Sequence, residues 1–333
     1  MVSTTPKLVA PFPYFGGKRR VVDLVWSRFG DVKNYVEPFF GSGAVLLGSP
    51  WPSGRVETVN DLDGYLINFW RAVRAEPETV AQWADDIVAE ADLHAKHLWL
   101  LEHGGDLAER LQGDPDYYDP KIAGWWCWGV CSAMGNVWCN CRGPWTRERD
   151  EAGFYKLVKT GGKGPGIVRG LPHLWAPRGI NGKNAEILIW FHELSARLRR
   201  VRVTCGNWLR VTGHSVTDGF GITGVFLDPP YASERRDDVY TNDSMTVAHD
   251  VRAWALEAGQ RKTMRIALCG YAGEHDLPGW EAVSWKANGG YGSRGNKQGR
   301  ENSAKEVILF SPYCLAGEID LCLGDEIDLG GGL

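Results

Sequence analysis

Residues 225–231 read VFLDPPY, and the interpretation of the whole chain depends on this stretch. Three apolar residues are typical of a buried strand, but a strand cannot run on through Pro229 and Pro230, because proline has no backbone N–H for the neighbouring strand. Asp228 is therefore predicted to end a strand, with Pro229, Pro230 and Tyr231 forming a rigid corner beyond it. In an open parallel sheet, ligands bind outside the carboxyl ends of the strands. The corner is a candidate site.

Strand and helix patterns alternate on both sides of this stretch. Helical patterns follow Asp61 and occupy residues 185–199 and 248–260. Such alternation predicts an α/β fold with a mostly parallel, doubly wound sheet. The apolar strand patterns lie at residues 33–39, 55–61, 200–205, 223–228, 264–269, 281–285 and 305–310.

A long interruption separates the second predicted strand from the third. Residues 78–112 have a helical period that is broken at HGGD (103–106). The residues that follow, 113–184, are irregular and rich in Trp and Gly. We predict an inserted lobe over residues 78–184, between a first part of the core (1–77) and a second part (185–316). The acidic end, residues 317–333, is predicted to be a disordered tail.

Length and composition restrict the class of protein. A chain of 333 residues can bury a large core, and no apolar run reaches the roughly 18 residues of a membrane span. The N-terminus lacks the charged and then apolar plan of a signal peptide, so a cytoplasmic protein with no membrane partner is expected. The eight cysteines are too sparse for a disulfide scaffold and are expected to be reduced.

Charge is distributed unevenly, although the formal net charge is only −4. Residues 142–183 contain nine Lys or Arg and three acids, whereas residues 317–333 contain five acids and no base. A basic segment of this kind favours contact with a polyanion such as nucleic acid. A solvated loop is the alternative for such a Gly-rich segment.

A Gly-rich turn connects the first predicted strand to a helix in EPFFGSGAVLL, residues 37–47. Glycines there let the backbone approach a small ligand and present helix N–H groups to it. The sequence is not a dinucleotide fingerprint, since Leu46 stands where that pattern needs Gly, and no phosphate-binding loop pattern occurs. Asp61, at the end of the next strand, is placed to hold ribose hydroxyls. These features predict an adenosine-containing cofactor without a polyphosphate.

Four motifs in a fixed order make the chain resemble a known family. They are PYFGGK (13–18), VEPFFGSGA (36–44), NDLDGYLINFW (60–70) and LDPPY (227–231). Their combination resembles DNA adenine methyltransferases of the Dam type, over residues 13–312. The resemblance implies a Rossmann-like, S-adenosylmethionine-dependent methyltransferase fold, with a seven-stranded sheet that has one antiparallel strand and with an inserted DNA-recognition lobe. It implies S-adenosyl-L-methionine as the cofactor and double-stranded DNA as the substrate.

The family motifs also imply roles for individual residues. On the target side, Asp228, Pro229, Pro230 and Tyr231 would hold the base. Asn207 stands where the family often has an acid beside the adenine of the cofactor, and its side-chain oxygen can accept the same hydrogen bond. On the cofactor side, the residues that the resemblance implies are Tyr14, Gly16, Gly17, Lys18, Glu37, Pro38, Phe39, Gly41, Ser42, Gly43, Asp61, Asn207 and Asp228.

The chemistry of an amino group explains the corner independently of the family. The lone pair of the exocyclic nitrogen of adenine is delocalised into the ring, which makes that nitrogen a poor nucleophile. Asp228 can accept one N–H and the carbonyl of Pro229 the other, which returns the lone pair to nitrogen, while Tyr231 stacks on a base flipped out of the duplex. Methylation of a ring carbon would need a cysteine after proline, and the sequence has no Pro-Cys pair. The structural alternative is a tight turn in which Asp228 caps a backbone donor.

Two basic segments are candidates for DNA contacts. Residues 141–170 lie where the family keeps its recognition lobe, and residues 289–305 follow the sixth predicted strand. For the second segment a flexible hairpin tip is an equally favoured interpretation. The candidate DNA-binding residues, of which any Arg can contact phosphate or read guanine, are Arg142, Arg147, Arg149, Lys156, Lys159, Lys163, Arg294 and Lys297.

The stretch WWCWGVCSAMGNVWCNC (125–141) holds four cysteines in the spacing C-x3-C-x7-C-x-C. Zinc ribbons and fingers favour C-x2-C pairs, so no metal is predicted and zinc remains the minor alternative. The favoured interpretation is that Trp125, Trp126, Trp128 and the cysteines pack the junction between the lobe and the core.

The sequence therefore predicts a site-specific methyltransferase that acts on N6 of adenine in duplex DNA. We expect a monomer, with a cognate restriction endonuclease as a potential partner. Methylation of cytosine N4, of single-stranded DNA or of RNA stays open, because these amino groups present the same chemistry. A non-catalytic DNA-binding protein that retains the fold is the alternative from another class.

Overall fold

A computed structural model describes residues 8–14, 17–51, 54–134, 138–139, 145–149, 155–159, 166–167, 184–230, 246–275, 277–285 and 306–316. The helices are α1 (Val22–Phe29), α2 (Ala44–Leu47), α3 (Gly64–Ala75), α4 (Pro77–Ala84), α5 (Glu90–His103), α6 (Leu107–Gly113), α7 (Pro120–Ser132), α8 (Asn184–Leu198), α9 (His214–Thr217) and α10 (Val247–Ala258). The strands are β1 (Asn34–Glu37), β2 (Val56–Asp61), β3 (Ala133–Met134), β4 (Trp145–Arg149), β5 (Tyr155–Lys159), β6 (Gly166–Ile167), β7 (Val201–Cys205), β8 (Thr223–Leu227), β9 (Met264–Tyr271), β10 (Glu281–Ser284) and β11 (Glu306–Phe310). Short 3-10 turns lie at Arg19–Val21 and Trp208–Val211.

Seven of the strands form one sheet in the order β10-β11-β9-β8-β1-β2-β7. Neighbours from β9 to β7 in this order are parallel, and β11 runs antiparallel to both β9 and β10. Helical connections lead from one parallel strand to the next, as a doubly wound sheet requires. The predicted α/β fold, with a mostly parallel sheet of seven strands, is confirmed.

The strand positions read from the sequence agree with the structure, with ends that shift by no more than two residues. Alternating side chains divide each strand between two apolar layers, since successive residues of a strand point to opposite faces. Tyr35 and Phe226 belong to the layer that also contains residues of α1, α3 and α8. Val36 and Val225 belong to the layer that contains α10. Burial on both faces explains why the central strands β8 and β9 are mostly apolar.

The region between β2 and β7 is more helical than its sequence pattern indicates. The break at HGGD is present between α5 and α6, but a further break separates α4 from α5. Residues 120–132, which were interpreted as irregular, form the helix α7. The interpretation is wrong for these residues. Most side chains of α7 are buried, which leaves no polar stripe to produce a helical period. Gly124 and Gly129, which suggested a loop, allow close packing: a Cβ at Gly124 would lie 2.3 Å from Cβ of Trp83.

The helices α3, α4, α7 and α8 pack against one another on one face of the sheet. In α7, Trp126 and Trp128 are buried together with Cys127 and Cys131. The ring centroid of Trp126 lies 5.8 Å from that of Phe69 in α3. The division of the chain into a lobe over residues 78–184 and two core parts remains a prediction, and the proposed disordered tail lies outside the described residues.

A buried ion pair fixes α8 to β2. The guanidinium of Arg197 donates to both carboxylate oxygens of Glu57, at 2.7 and 2.8 Å, and also to the carbonyl of Leu46. Glu57 is only 3 % exposed. A two-pronged pair of this kind fixes orientation as well as distance, so it holds the helix that returns from the insertion at the start of β2.

Candidate active site

The carboxyl ends of the parallel strands bring three acidic side chains to one edge of the sheet. Glu37 ends β1, Asp61 ends β2, and Asp228 follows the last residue of β8. Because β1 lies between β2 and β8, these three strand ends are neighbours. The negative charges of Asp228 and Asp61 both act on Glu37. The structure thus groups three acids predicted to bind the cofactor, of which Asp228 was also predicted to hold the target base.

The Gly-Ser-Gly turn after β1 has a backbone that favours glycine. Gly41 and Gly43 have φ angles of +48° and +62°, in the left-handed region that residues with a Cβ rarely adopt. The N–H of Gly41 donates to Oδ2 of Asp61 at 2.9 Å. Nε1 of Trp70 donates to the carbonyl of Gly41 at 3.3 Å. The turn, with the partly buried Ser42 at its centre, is therefore fixed by β2 and α3 independently of any ligand.

Aromatic rings pack directly on the glycines of this turn. A Cβ atom at Gly41 would lie 2.8 Å from Cε1 of Tyr14, and one at Gly43 would lie 2.6 Å from Cζ of Phe40. Neither position has room for a side chain. The rings occupy the space that a larger residue would take, and both glycines are buried beneath them.

The segment before Tyr14 is anchored in the helical layer. Nε1 of Trp190 donates to the carbonyl of Val9 at 3.0 Å, and Sγ of Cys131 donates to the carbonyl of Pro11 at 3.5 Å. The ring of Phe12 packs edge-on at 5.0 Å from the ring of Trp126. These contacts hold Tyr14 against Gly41. Phe12 and Trp70 were not predicted to be parts of the site, and the only signal for them was their place inside or next to two of the motifs.

Glu37 is a buried carboxyl group, 2 % exposed. Burial raises the pKa of Glu37 well above its usual value, and the charges of Asp228 and Asp61 raise it further. The hydroxyl of Tyr35, which donates to Oε2 of Glu37 at 2.8 Å, acts in the opposite direction. A carboxyl group in this environment gains most from a cation placed beside it, because the cation stabilises the charged form that burial disfavours.

Asp61 and Asp63 form a second acidic pair, at the start of α3. Oδ1 of Asp61 accepts the N–H of Asp63 at 3.1 Å, and Asp63 caps the helix by accepting the N–H of Tyr65 at 2.9 Å. Burial raises the pKa of Asp61, and hydrogen bonds from backbone N–H groups oppose this. Burial, followed by the charge of Asp61, raises the pKa of Asp63 to about 6. The backbone N–H groups that act on the Asp61 carboxylate are those of Gly41, Asp63, Leu62 and Phe40.

Lys18 lies at the same edge and contacts Asp228. Its Nζ is 2.9 Å from Oδ1 of Asp228, and the side chains of the two residues are 5 % and 21 % exposed. The resemblance assigned Lys18 to the cofactor pocket, and the structure brings it to the residue assigned to the target base.

Of the other predicted residues, Pro229 is buried and Pro230 is partly buried. Tyr231 and Gly16 lie outside the described residues.

The remaining residues assigned to the cofactor lie around the ends of β1 and β7. Nδ2 of Asn60 donates to the carbonyls of Pro38 and Gly206, at 3.1 and 2.9 Å, and so ties these two strand ends together. The ring of Phe39 lies 6.2 Å from the ring of Trp208.

Asn207 is exposed, and its Oδ1 accepts the N–H of Leu209 at 2.9 Å, at the start of a 3-10 turn. Its contact with a cofactor remains a prediction.

Gly17 belongs to the loop between Tyr14 and Lys18. Its N–H donates to the carbonyl of Tyr14 at 3.2 Å, which closes a tight turn. A Cβ at Gly17 would lie 3.2 Å from that same carbonyl oxygen. The turn sets the spacing between the ring of Tyr14, which packs on Gly41, and the ammonium group of Lys18, which contacts Asp228.

Four of the residues predicted to contact DNA lie on a two-stranded antiparallel ladder. Arg147 and Arg149 belong to β4, and Lys156 and Lys159 belong to β5. In the register of the two strands, Trp145 pairs with Lys159 and Arg149 with Tyr155. The other four lie outside the described residues: Arg142, Lys163, Arg294 and Lys297.

The cysteines of α7 are buried. Burial raises the pKa of Cys127 well above its usual value, and its hydrogen bond with Cys131 adds to this effect. Cys139 is buried as well, and Cys141 lies outside the described residues. Across the part of the chain that the structure describes, no three or more His, Cys, Asp or Glu residues are grouped so that they could hold a metal ion.

The fold and this edge together define a Rossmann-like methyltransferase: a parallel sheet with β11 inserted antiparallel between β9 and β10, and acids and glycines at the strand ends. Residues 14–98 match the family model of D12 class N6 adenine-specific DNA methyltransferases. This match, over residues 14–98 of 333, agrees with the resemblance that the motifs carry: this part of the chain is similar to adenine-specific DNA methyltransferases. The matched range includes Tyr14, the glycine turn and Asp61, and it ends before Asp228.

No curated protein matches the sequence. Within the described ranges, none of the helices combines the length and the apolar character needed to cross a bilayer.

Proposed function

We propose that the protein transfers the methyl group of S-adenosyl-L-methionine to N6 of adenine in double-stranded DNA, after the target base has been flipped out of the helix. One observation carries the proposal: Asp228, followed by Pro229, ends β8 beside Glu37, so that a hydrogen-bond acceptor for an amino group stands next to a pocket edge suited to the cofactor. Base flipping is required because the amino group is otherwise inside the duplex.

The residues at the edge fit the chemical groups of this cofactor. The turn has left-handed backbone and no Cβ atoms at Gly41 and Gly43, which suits close approach of the methionine part of the molecule. Glu37, whose charged form burial disfavours, suits the positively charged amino group of that part. Asp61 suits the ribose hydroxyls, since a carboxylate accepts hydrogen bonds. S-adenosyl-L-methionine, when bound, supplies a methyl group on a sulfonium that is already strongly electrophilic.

The residues at the target side would make the amino nitrogen a better nucleophile. The carboxylate of Asp228 accepts one N–H of the adenine amino group, and the carbonyl of Pro229 accepts the other, so the lone pair is returned to nitrogen. The nitrogen then forms its bond to the methyl carbon while the electrons of the broken S–C bond stay on sulfur. The methylated nitrogen loses one proton, which passes to water by way of Asp228. Holding the reacting groups in line accounts for much of the acceleration.

Duplex DNA as the substrate is supported by the basic ladder of β4 and β5. Arg147, Arg149, Lys156 and Lys159 lie on these two short strands, within the most basic part of the sequence. Basic residues neutralise phosphates and position a protein on the duplex without reading its sequence. We further propose a cytoplasmic monomer whose methylated sites resist a cognate restriction endonuclease.

The test is the modified nucleoside content of DNA exposed to the protein. Genomic DNA free of methyladenine is incubated with the protein and S-adenosyl-L-methionine, digested to nucleosides and analysed by mass spectrometry. We expect N6-methyladenine from the wild type, and a loss of at least about 100-fold in Asp228→Ala, since removal of one positioned polar group commonly costs that much. Heat-denatured DNA, run in parallel, separates a duplex substrate from a single-stranded one.

The matched control is Asp31→Ala, because Asp31 is an exposed acid whose carboxylate lies 2.9 Å from a lysine, as in the pair at the site. Its activity should equal that of the wild type. A wild type that leaves no N6-methyladenine on native DNA would refute the proposal. Methylcytosine in its place would assign the protein to the cytosine alternative.

A further inference from the structure

Lys18 is an unusual lysine because it is buried. It is 5 % exposed, follows the turn closed by Gly17 and precedes the 3-10 turn of Arg19–Val21. Lysine is almost never fully buried unless it is paired, because taking an ammonium group out of water costs several kcal/mol. The fold must therefore supply partners that offset this cost.

Three strands of the sheet supply groups around the ammonium of Lys18. Oδ1 of Asp228, after β8, is 2.9 Å away, and Oε2 of Glu306, the first residue of β11, is 4.0 Å away. The ring centroid of Trp285, just after β10, lies 5.8 Å from Nζ. Since β11 is antiparallel, its first residue lies at the same edge as the ends of the parallel strands. Sheet topology is thus the reason why Glu306 reaches the site.

Lys18 is the cation in a cluster of acids. Glu37, Asp228 and Glu306 all act electrostatically on the thiol of Cys269 in β9, and Lys18 acts on it with the opposite sign. Burial raises the pKa of this thiol well above its usual value, which marks the surroundings as poorly hydrated. Like charges so close together in such surroundings would disfavour ionised carboxylates in the absence of a cation.

We propose that Lys18 is a positioning residue for methyl transfer: it holds the carboxylate of Asp228 in the orientation that accepts the amino group of the target base. This inference rests on the function proposed above. A carboxylate has two oxygens and about four acceptor directions, so the ammonium group and the amino group can share it. Glu306 and Trp285 hold the ammonium group from the other side.

A positioning role and a cofactor-lining role for Lys18 would affect different steps. A residue that lines the cofactor pocket would change the affinity for S-adenosyl-L-methionine. A residue that orients Asp228 would change the rate of methyl transfer and leave that affinity unaltered. The two roles can therefore be separated by measuring binding and turnover on the same variants.

The variant Lys18→Met removes the charge and retains most of the apolar side chain. Its control is Lys33→Met, the same change at an exposed lysine that lies 2.9 Å from Asp31. Cofactor affinity is measured by isothermal titration calorimetry, and turnover by transfer of tritiated methyl groups from saturating S-adenosyl-L-methionine to genomic DNA free of methyladenine. We expect kcat to fall by about 100-fold or more in Lys18→Met, with the cofactor Kd within about threefold of the wild type, and no change in Lys33→Met.

Several outcomes would overturn the inference. A kcat at the wild-type level in Lys18→Met is one, and a loss explained entirely by weaker cofactor binding is another. If Lys18→Met does not fold, as judged by circular dichroism, Lys18→Arg carries the test, because it keeps the charge but changes its geometry. There we expect a loss of about tenfold in kcat at unaltered cofactor affinity, and an unchanged kcat contradicts the inference. A wild type without methyl transfer refutes the proposed function itself, and the inference with it.

Discussion

Replacing Gly41 by alanine tests whether the glycine turn is built for close approach. The residue has φ of +48°, and an added Cβ would lie 2.8 Å from Cε1 of Tyr14. A left-handed backbone costs a residue with a Cβ about 1–2 kcal/mol. Carbon atoms in contact normally lie about 3.5–4.0 Å apart, so the ring of Tyr14 must move by about 1 Å. Overpacking of this kind typically costs about 1–3 kcal/mol.

The sum is a loss of about 2–5 kcal/mol in the free energy of unfolding, measured by urea denaturation. Gly219→Ala is the control, since Gly219 has φ of +83° and no atom within 4 Å of an added Cβ. It should lose only the backbone part, about 1–2 kcal/mol. The difference between the two variants isolates the contact with Tyr14.

Cofactor affinity gives a second readout of the same substitution. A displaced Tyr14 and a shifted Gly41 change the surface that the cofactor meets, so we expect a Kd for S-adenosyl-L-methionine raised by about tenfold, or about 1.4 kcal/mol. Gly219→Ala should bind as the wild type does. The reasoning fails if Gly41→Ala is no less stable than Gly219→Ala and binds the cofactor with wild-type affinity.

Three further substitutions test buried polar groups. Arg197→Met removes the guanidinium that donates to both oxygens of the buried Glu57, although Arg55 stays beside it with Nε 3.6 Å from Oε1. The free energy of unfolding in urea should therefore fall by about 3 kcal/mol, the low end for a broken buried pair, and adding Glu57→Gln should recover part of the loss; no recovery would contradict the pairing. The pKa of Asp63 is raised from 3.8 to about 6, so the folded state holds this proton more tightly than the unfolded state, and the stability it contributes is lost as pH rises from about 4 to 6. Asp63→Asn still caps α3, and its unfolding free energy relative to the wild type should therefore increase across that window; a constant difference would count against the raised pKa. Tyr35→Phe removes the hydroxyl donor to the buried Glu37 and should cost about 1–3 kcal/mol, whereas an unchanged urea midpoint would show that the hydrogen bond contributes little.

The parts of the fold that the sequence predicts are those in which the signal is local. The strand β8 is an apolar run stopped by Pro229 and Pro230, and proline stops a strand wherever the chain goes next. The turn between β1 and α2 is recognisable because its glycines supply left-handed backbone. From such strand ends alone, Asp61 and Asp228 are assigned to one edge of a parallel sheet.

The helix α7 shows where local patterns fail. Its side chains are buried on nearly every side by α3, α4 and α5, so hydrophobicity carries no period from which a helix could be read. Its glycines resemble loop residues in the sequence, yet Gly129 serves close packing, since a Cβ there would lie 1.8 Å from the ring of Trp138. Tertiary contact decides the structure of this segment.

By itself, the sequence determined the seven strands of the main sheet, the glycine turn, and the acids at the strand ends, because each depends on backbone rules that act over a few residues. Only the tertiary structure decided which of these groups meet. The ammonium of Lys18 reaches Asp228 and Glu306, and Trp70 fixes the carbonyl of Gly41, because the spatial order of the strands differs from their order along the chain. Contacts between residues so far apart in the chain follow from how the layers pack, which no local pattern encodes.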